Sequence, residues 1–130
     1  MYQMPTGSPS LRTIAMPSDA NPDGDIFGGW IMSQMDIASG VFAARKAKCR
    51  VVTVAVDAMT FLKPVYIGDD VSCFCSVVRY GKTSLVVHVE TWVQRHHSEL
   101  IEKVTEGNFT FVAIDAEGQS TPIVRTDEEN

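Results

Sequence analysis

Apolar residues recur along residues 30–46 at spacings of four, three and four (Ile31, Met35, Ala38, Phe42), a repeat that places them on one face of an α-helix. A second stripe of Trp30, Ile37, Val41 and Ala44 adjoins the first, so the helix is expected to be largely buried. Gly28 and Gly29 mark its start, and Arg45, Lys46 and Lys48 bring positive charge to the negative end of its dipole. A helix of that span is about 25 Å long.

From residue 50 onward the chain reads as strand upon strand. Residues 50–63 are rich in β-branched side chains, with Val52, Val54, Val56 and Ala58 on one face, and the run stops at Pro64 and Gly68. Residues 71–79 follow, then a turn at Tyr80, Gly81 and Lys82, then residues 83–94 with Leu85, Val87, Val89, Thr91 and Val93 alternating inward. Residues 95–99 predict a second hairpin turn and residues 101–114 the last long strand. Ahead of the helix, a short apolar segment at 11–16 gives way to Pro17, Ser18, Asp19, Asn21, Pro22, Asp23 and Gly24, which form a loop. Long strands with no helix between them predict an antiparallel meander. At this size one buried helix and such a sheet are satisfied together when the sheet curls around the helix, an α+β architecture of the hot-dog kind. The outward-facing Trp92, Val104 and Val112 predict that part of the sheet meets another subunit, making at least a dimer.

Composition narrows the reading further. A chain of 130 residues fits one domain, expected over residues 11–119, with a flexible tail at 1–10 and an acidic one at 120–130 ending in Asp127, Glu128 and Glu129. A net charge of −5 argues against nucleic acid as a partner, because sequence-independent affinity for a phosphate backbone needs a basic surface. No apolar run reaches the ~18 residues of a membrane span. Three cysteines make no disulfide framework, and Cys73 and Cys75 read as core thiols, so a cytoplasmic location is expected.

Asp36 is the odd residue in the helix, on a strip with Ser33, Ser39, Gly40 and Ala43 whose small side chains leave room for a substrate or a second chain. It reads either as a functional carboxylate or as an aspartate that escapes to solvent. The Gly28-Gly29 pair allows a tight entry into the helix, or supplies unhindered amides at the positive end of the dipole for a developing oxyanion. Asn21 is a turn residue or a group that orients water and a carbonyl. Asp19, Asp23 and Asp25 read as turn and cap residues. His88, His96 and His97 have no spacing that sets two ligands on one helical face, so no metal site and no cofactor are expected. G-x-S-x-G, Walker and dinucleotide motifs are absent from the sequence.

The stretch from Asn21 through Gly28-Gly29-Trp30 to Asp36, together with Val51-Val52-Thr53-Val54-Ala55-Val56, then Phe61, Pro64, Val65, Gly68, Asp69, Gly81, Thr83 and Ser84, closely resembles the bacterial YciA-type acyl-CoA thioesterases. The resemblance implies hydrolysis of acyl-CoA to free acid and CoA. It casts Asp36 as general base or nucleophile and the amides of Gly28 and Gly29 as oxyanion donors. It also implies that Asn21 reaches across a dimer interface, and that the assembly is a homohexamer built as a trimer of dimers. Candidates to bind the CoA moiety are Arg45, Lys46, Lys48 and Arg50 after the helix, Arg79, Gly81, Lys82, Thr83 and Ser84 around the turn, and Thr60, where relatives often carry asparagine. Trp30, Met32, Met35 and Phe61 line the acyl site or belong to the core. Two other readings compete: an acyl-CoA-binding sensor without turnover, against which Asp36 stands, and a hot-dog dehydratase or isomerase, which would need a histidine near the helix.

Overall fold

The computed structural model describes residues 4–124; the acidic run at 127–129 lies outside them. In chain order the elements are β1 (Leu11–Ile14), α1 (Gly28–Ala47), β2 (Arg50–Phe61), β3 (Asp70–Tyr80), β4 (Ser84–Gln94) and β5 (Ile101–Ile114). The helix exceeds its apolar repeat by two residues at the front, because Gly28 and Gly29 form its first turn rather than precede it. At the other end Lys48 turns left-handed at φ 60° and its amide closes on the Ala44 carbonyl at 2.8 Å, which stops the helix.

The five strands form one antiparallel sheet in the order β1-β3-β4-β5-β2. Only β3, β4 and β5 make the expected meander; β2 crosses the molecule to lie beside β5 at the far edge. The sheet curls around α1, whose Ile31, Met35 and Ala38 meet the fully buried Leu85, Val87, Val89 and Val93 of β4 and Phe109 and Phe111 of β5. This is the hot-dog arrangement. Arg95, whose guanidinium lies 2.6 Å from Asp69 and 2.8 Å from Glu102, ties the β2–β3 connection to the β4–β5 hairpin. Beyond β5 the chain stays fastened, with Thr121 donating to Ala113 and Ile123 to Lys82.

Two expectations about burial are corrected. Trp92 and Val104 do not form an outward contact surface: they are 5% and 0% exposed. A register shift between Thr91 and Trp92 leaves Val104 as the extra residue of a bulge and turns it into the core. Nor is the helix apolar face wholly covered, since Ile37 and Val41 are 52% and 41% exposed. Beside them β2 presents Val52, Val54 and Val56, all exposed, and has a hydrogen-bonded neighbour on one side only. The α1/β2 face and edge is therefore an exposed apolar surface. A long apolar edge strand of this kind is a template for pairing with another chain.

Candidate active site

Asp36 projects from the exposed side of α1 into an open groove of about 410 Å³ bounded by Ile37, Gly40 and Val41 of the helix and Arg50, Val51 and Thr53 of β2. Its small neighbours divide: Gly40 lines the groove, whereas Ser39 and Ala43 are buried, Ser39 because its hydroxyl bonds back to the Met35 carbonyl at 2.7 Å. The hydroxyl of Thr53 donates to Asp36 Oδ1 at 2.7 Å. A bulge directly after Thr53 shifts the register of β2 against β5 and sets this side chain towards the helix. With Oδ1 held, Oδ2 has no hydrogen-bond partner among the described residues. Sequence reasoning passed over Thr53; the available signal was a lone hydroxyl in the apolar run from Val51 to Val56.

The helix start is prepared differently. Phe27 caps it with no side-chain bond and no acidic residue stands in the first turn, so nothing local neutralises the positive end of the dipole. The amides of Trp30 and Ile31 both reach the Phe27 carbonyl, which leaves the Gly28 and Gly29 N–H groups without an acceptor among the described residues. Phe61 overhangs this end: a Cβ on Gly28 would lie 3.4 Å from its ring.

Asn21 shares a pocket of about 360 Å³ with Gly28, Ile31 and Phe61. Its side-chain oxygen accepts from the amides of Asp23 at 2.9 Å and Asp25 at 3.1 Å, and Gly24, at φ 93°, completes the turn. The asparagine is thus a turn organiser through its oxygen, and its NH₂ group stays available as a donor. Asp19 accepts from the Met16 amide at the single helical turn of residues 17–19, as a cap does.

These donors and the carboxylate do not meet within one chain. Asp36 follows Gly28 by eight residues, about 12 Å along a helix axis, while a carbonyl and its attacking water need both groups within ~3 Å. The two sets also line separate cavities. Both cavities border the uncovered α1/β2 side.

The basic candidates gather at the opposite end of α1. Arg45 is exposed, Lys46 sits 5.4 Å above the Phe42 ring, and Arg50 enters the Asp36 groove. The β3–β4 turn carrying exposed Arg79, Gly81 and Lys82 lies at that same end, because Ser84 pairs with Val112 and Arg50 with Ile114. In the turn Gly81 donates to the Ser84 carbonyl and Thr83 accepts from Ala113, so the backbones of Gly81, Thr83 and Ser84 are engaged in closing the hairpin. Thr60 stands apart on the far end of β2, opposite Glu106. Of the acyl-site candidates, Met35 is wholly core while Phe61 is half exposed. Burial pushes the Cys75 thiol up to about 11 and raises Cys73 for the same reason, which disfavours their thiolates; Cys73 lies in the core and Cys75 packs against it.

Helix, sheet and site together define a hot-dog protein equipped for attack on a carbonyl. The family model of the thioesterase superfamily matches residues 23–99. The acyl-CoA thioester hydrolase YciA of Escherichia coli strain K12 is 50% identical over 121 residues, covering 91% of this chain and 92% of its own. The hexameric thioesterase of Yersinia pestis superposes with a TM-score of 0.88 at 46% identity, covering 93% of this chain and 99% of that one. The hexameric hotdog fold thioesterase of Campylobacter jejuni does so with a TM-score of 0.87 at 43% identity, covering 95% and 93%. The chain belongs to the YciA-type acyl-CoA thioester hydrolases of the thioesterase superfamily.

Proposed function

We propose that this protein hydrolyses acyl-CoA thioesters at sites shared between two chains, with Asp36 of one and the Gly28, Gly29 and Asn21 donors of the other. The observation that carries this reading is the separation of acid and donors within a single chain beside an uncovered apolar face and edge. Asp36 Oδ2 takes a proton from water as the hydroxide adds to the thioester carbonyl. The oxyanion forms against the orphan amides at a helix N-terminus, and collapse expels the CoA thiolate, which recovers the proton. Arg45, Lys46, Arg50, Arg79 and Lys82 offer positive charge to the CoA phosphates from the end of the molecule where the groove opens. No step calls for a metal or a redox cofactor. A hexamer, as the Yersinia and Campylobacter relatives form, supplies the paired chains. Among the described residues no helix is long and apolar enough to cross a membrane, and the three free thiols suit a cytoplasmic location.

The test is release of free thiol from a panel of acyl-CoAs. Wild type turns over; Asp36→Asn loses about 10²–10⁴ in kcat, the usual contribution of a positioned base, with the oligomer intact. Stoichiometric binding without thiol release would favour the sensor reading instead.

A further inference from the structure

On the outer face of the sheet, away from α1, β4 and β5 carry polar side chains that hydrolysis does not use. In their register His88 stands opposite Asn108 and Glu90 opposite Glu106, with Val87, Val89 and Phe109 on the core side. Like charges directly opposite each other on neighbouring strands repel, yet these two carboxylates converge on one atom. His88 Nε2 lies 3.3 Å from Glu106 Oε1 and 3.8 Å from Glu90 Oε2.

The other ring nitrogen, Nδ1, is 2.8 Å from Asn108 Oδ1. An amide oxygen only accepts, so Nδ1 carries the hydrogen, and in the tautomer with Nε2 unprotonated the lone pair of Nε2 points to the same place as the two carboxylates. Three electron-pair donors facing one point are stable around a cation. His88 and Glu90 are also held from behind. Asn108 fixes the imidazole tautomer, and the Trp92 indole N–H donates to Glu90 Oε1 at 2.9 Å, leaving Oε2 for the centre. Lys103 approaches Glu106 Oε1 at 3.4 Å. An imidazole whose second nitrogen donates to a carbonyl oxygen, with carboxylates themselves hydrogen-bonded, is the outer shell that metal ligands use.

We infer that His88, Glu90 and Glu106 bind a divalent transition-metal ion of the zinc class. The three ligand atoms lie within 4.8 Å of one another, and bonds of about 2.0–2.1 Å to a common tetrahedral ion need only a small closure by side-chain rotation. One imidazole and two carboxylates suit zinc and its neighbours better than calcium or magnesium, which take oxygen ligands in larger number. The ion bridges the two central strands from the face opposite Asp36, which makes its role structural and independent of hydrolysis.

Calorimetric titration of the chelator-stripped, full-length assembly with Zn²⁺, alongside Co²⁺ followed by visible absorption, tests the site. One ion per chain is expected. His88→Gln and Glu106→Gln abolish binding or weaken it severely, and Asn108→Leu weakens it by about 10–100-fold through the lost outer contact. Lys103→Met tightens it by removing the competing cation, and the double change His96→Gln/His97→Gln leaves it unaltered. Circular dichroism establishes that each variant is folded; should His88→Gln fail to fold, Glu90→Gln provides the same reading. No binding by the wild type overturns the inference. Binding that survives the change at His88 or Glu90, or that disappears with His96 and His97, shows an adventitious ion only and overturns it equally.

Discussion

Thr53 illustrates how a single hydroxyl can orient Asp36, the carboxylate proposed for catalysis. Asp36 stands on an exposed helix side, free to rotate but for the 2.7 Å bond from Thr53. A hydrogen bond of that kind contributes about 1 kcal/mol or somewhat more, so Thr53→Val should lower kcat by roughly tenfold with KM little changed, and Thr53→Ser should restore most of it. Steady-state kinetics of the pair of variants checks this; an unchanged kcat for the valine variant removes Thr53 from the site. Asp36 itself was legible in the sequence as a carboxylate off the main apolar stripe. Its partner was not, because Asp36 and Thr53 belong to different elements and meet only through the bulge in β2. Glu106 escaped notice beside His88 for the same reason: neither residue has a chemical spacing along the chain, and only the β4–β5 register unites them.

At the scale of the helix, the question is whether Gly28 serves the turn or the reaction. Gly28→Pro separates the two. Proline is at home in the first position of a helix and there removes only an amide that has no intrahelical acceptor. Phe27, at φ −59° and ψ 136°, already has the extended conformation that a residue before proline adopts. The variant should keep its fold by circular dichroism and thermal melting while kcat falls by about 10²–10³, the loss seen when one oxyanion donor is removed. Retained turnover would assign the glycines to chain reversal alone. The body of α1 and the inward alternation of β4 followed directly from apolar periodicity, while the first turn of α1, built from Gly28 and Gly29, lay outside the repeat. The place of β2 did not, since periodicity reports faces and not neighbours. Val52, Val54 and Val56 read as one face of a strand, and the alternation did not tell that the strand is an exposed edge.

For the whole molecule that edge is the main consequence. Val54, 55% exposed at its centre, is expected to lie against a partner. Val54→Lys should shift the assembly to monomer in light scattering, and activity should vanish with it while the secondary structure persists; an intact oligomer would move the interface elsewhere. Sequence patterning anticipated that this chain does not act alone, but it placed the contact at Trp92, Val104 and Val112, of which the first two are buried within the chain. It could not foresee that a one-residue bulge between β4 and β5 would turn Val104 into the core.

Complementation between two inactive variants tests the shared site most directly. Asp36→Asn and Gly28→Pro chains should each be nearly inert, and each lacks what the other retains. Unfolded together and refolded as an equal mixture, half of the dimers are mixed, and each mixed dimer holds one site with both its aspartate and its glycine amides intact. Activity should therefore recover to about a quarter of wild type by random pairing of chains. If the mixture, with mixed dimers verified by mass spectrometry, is no more active than the two variants measured separately, acid and oxyanion donors belong to the same chain and the account is wrong.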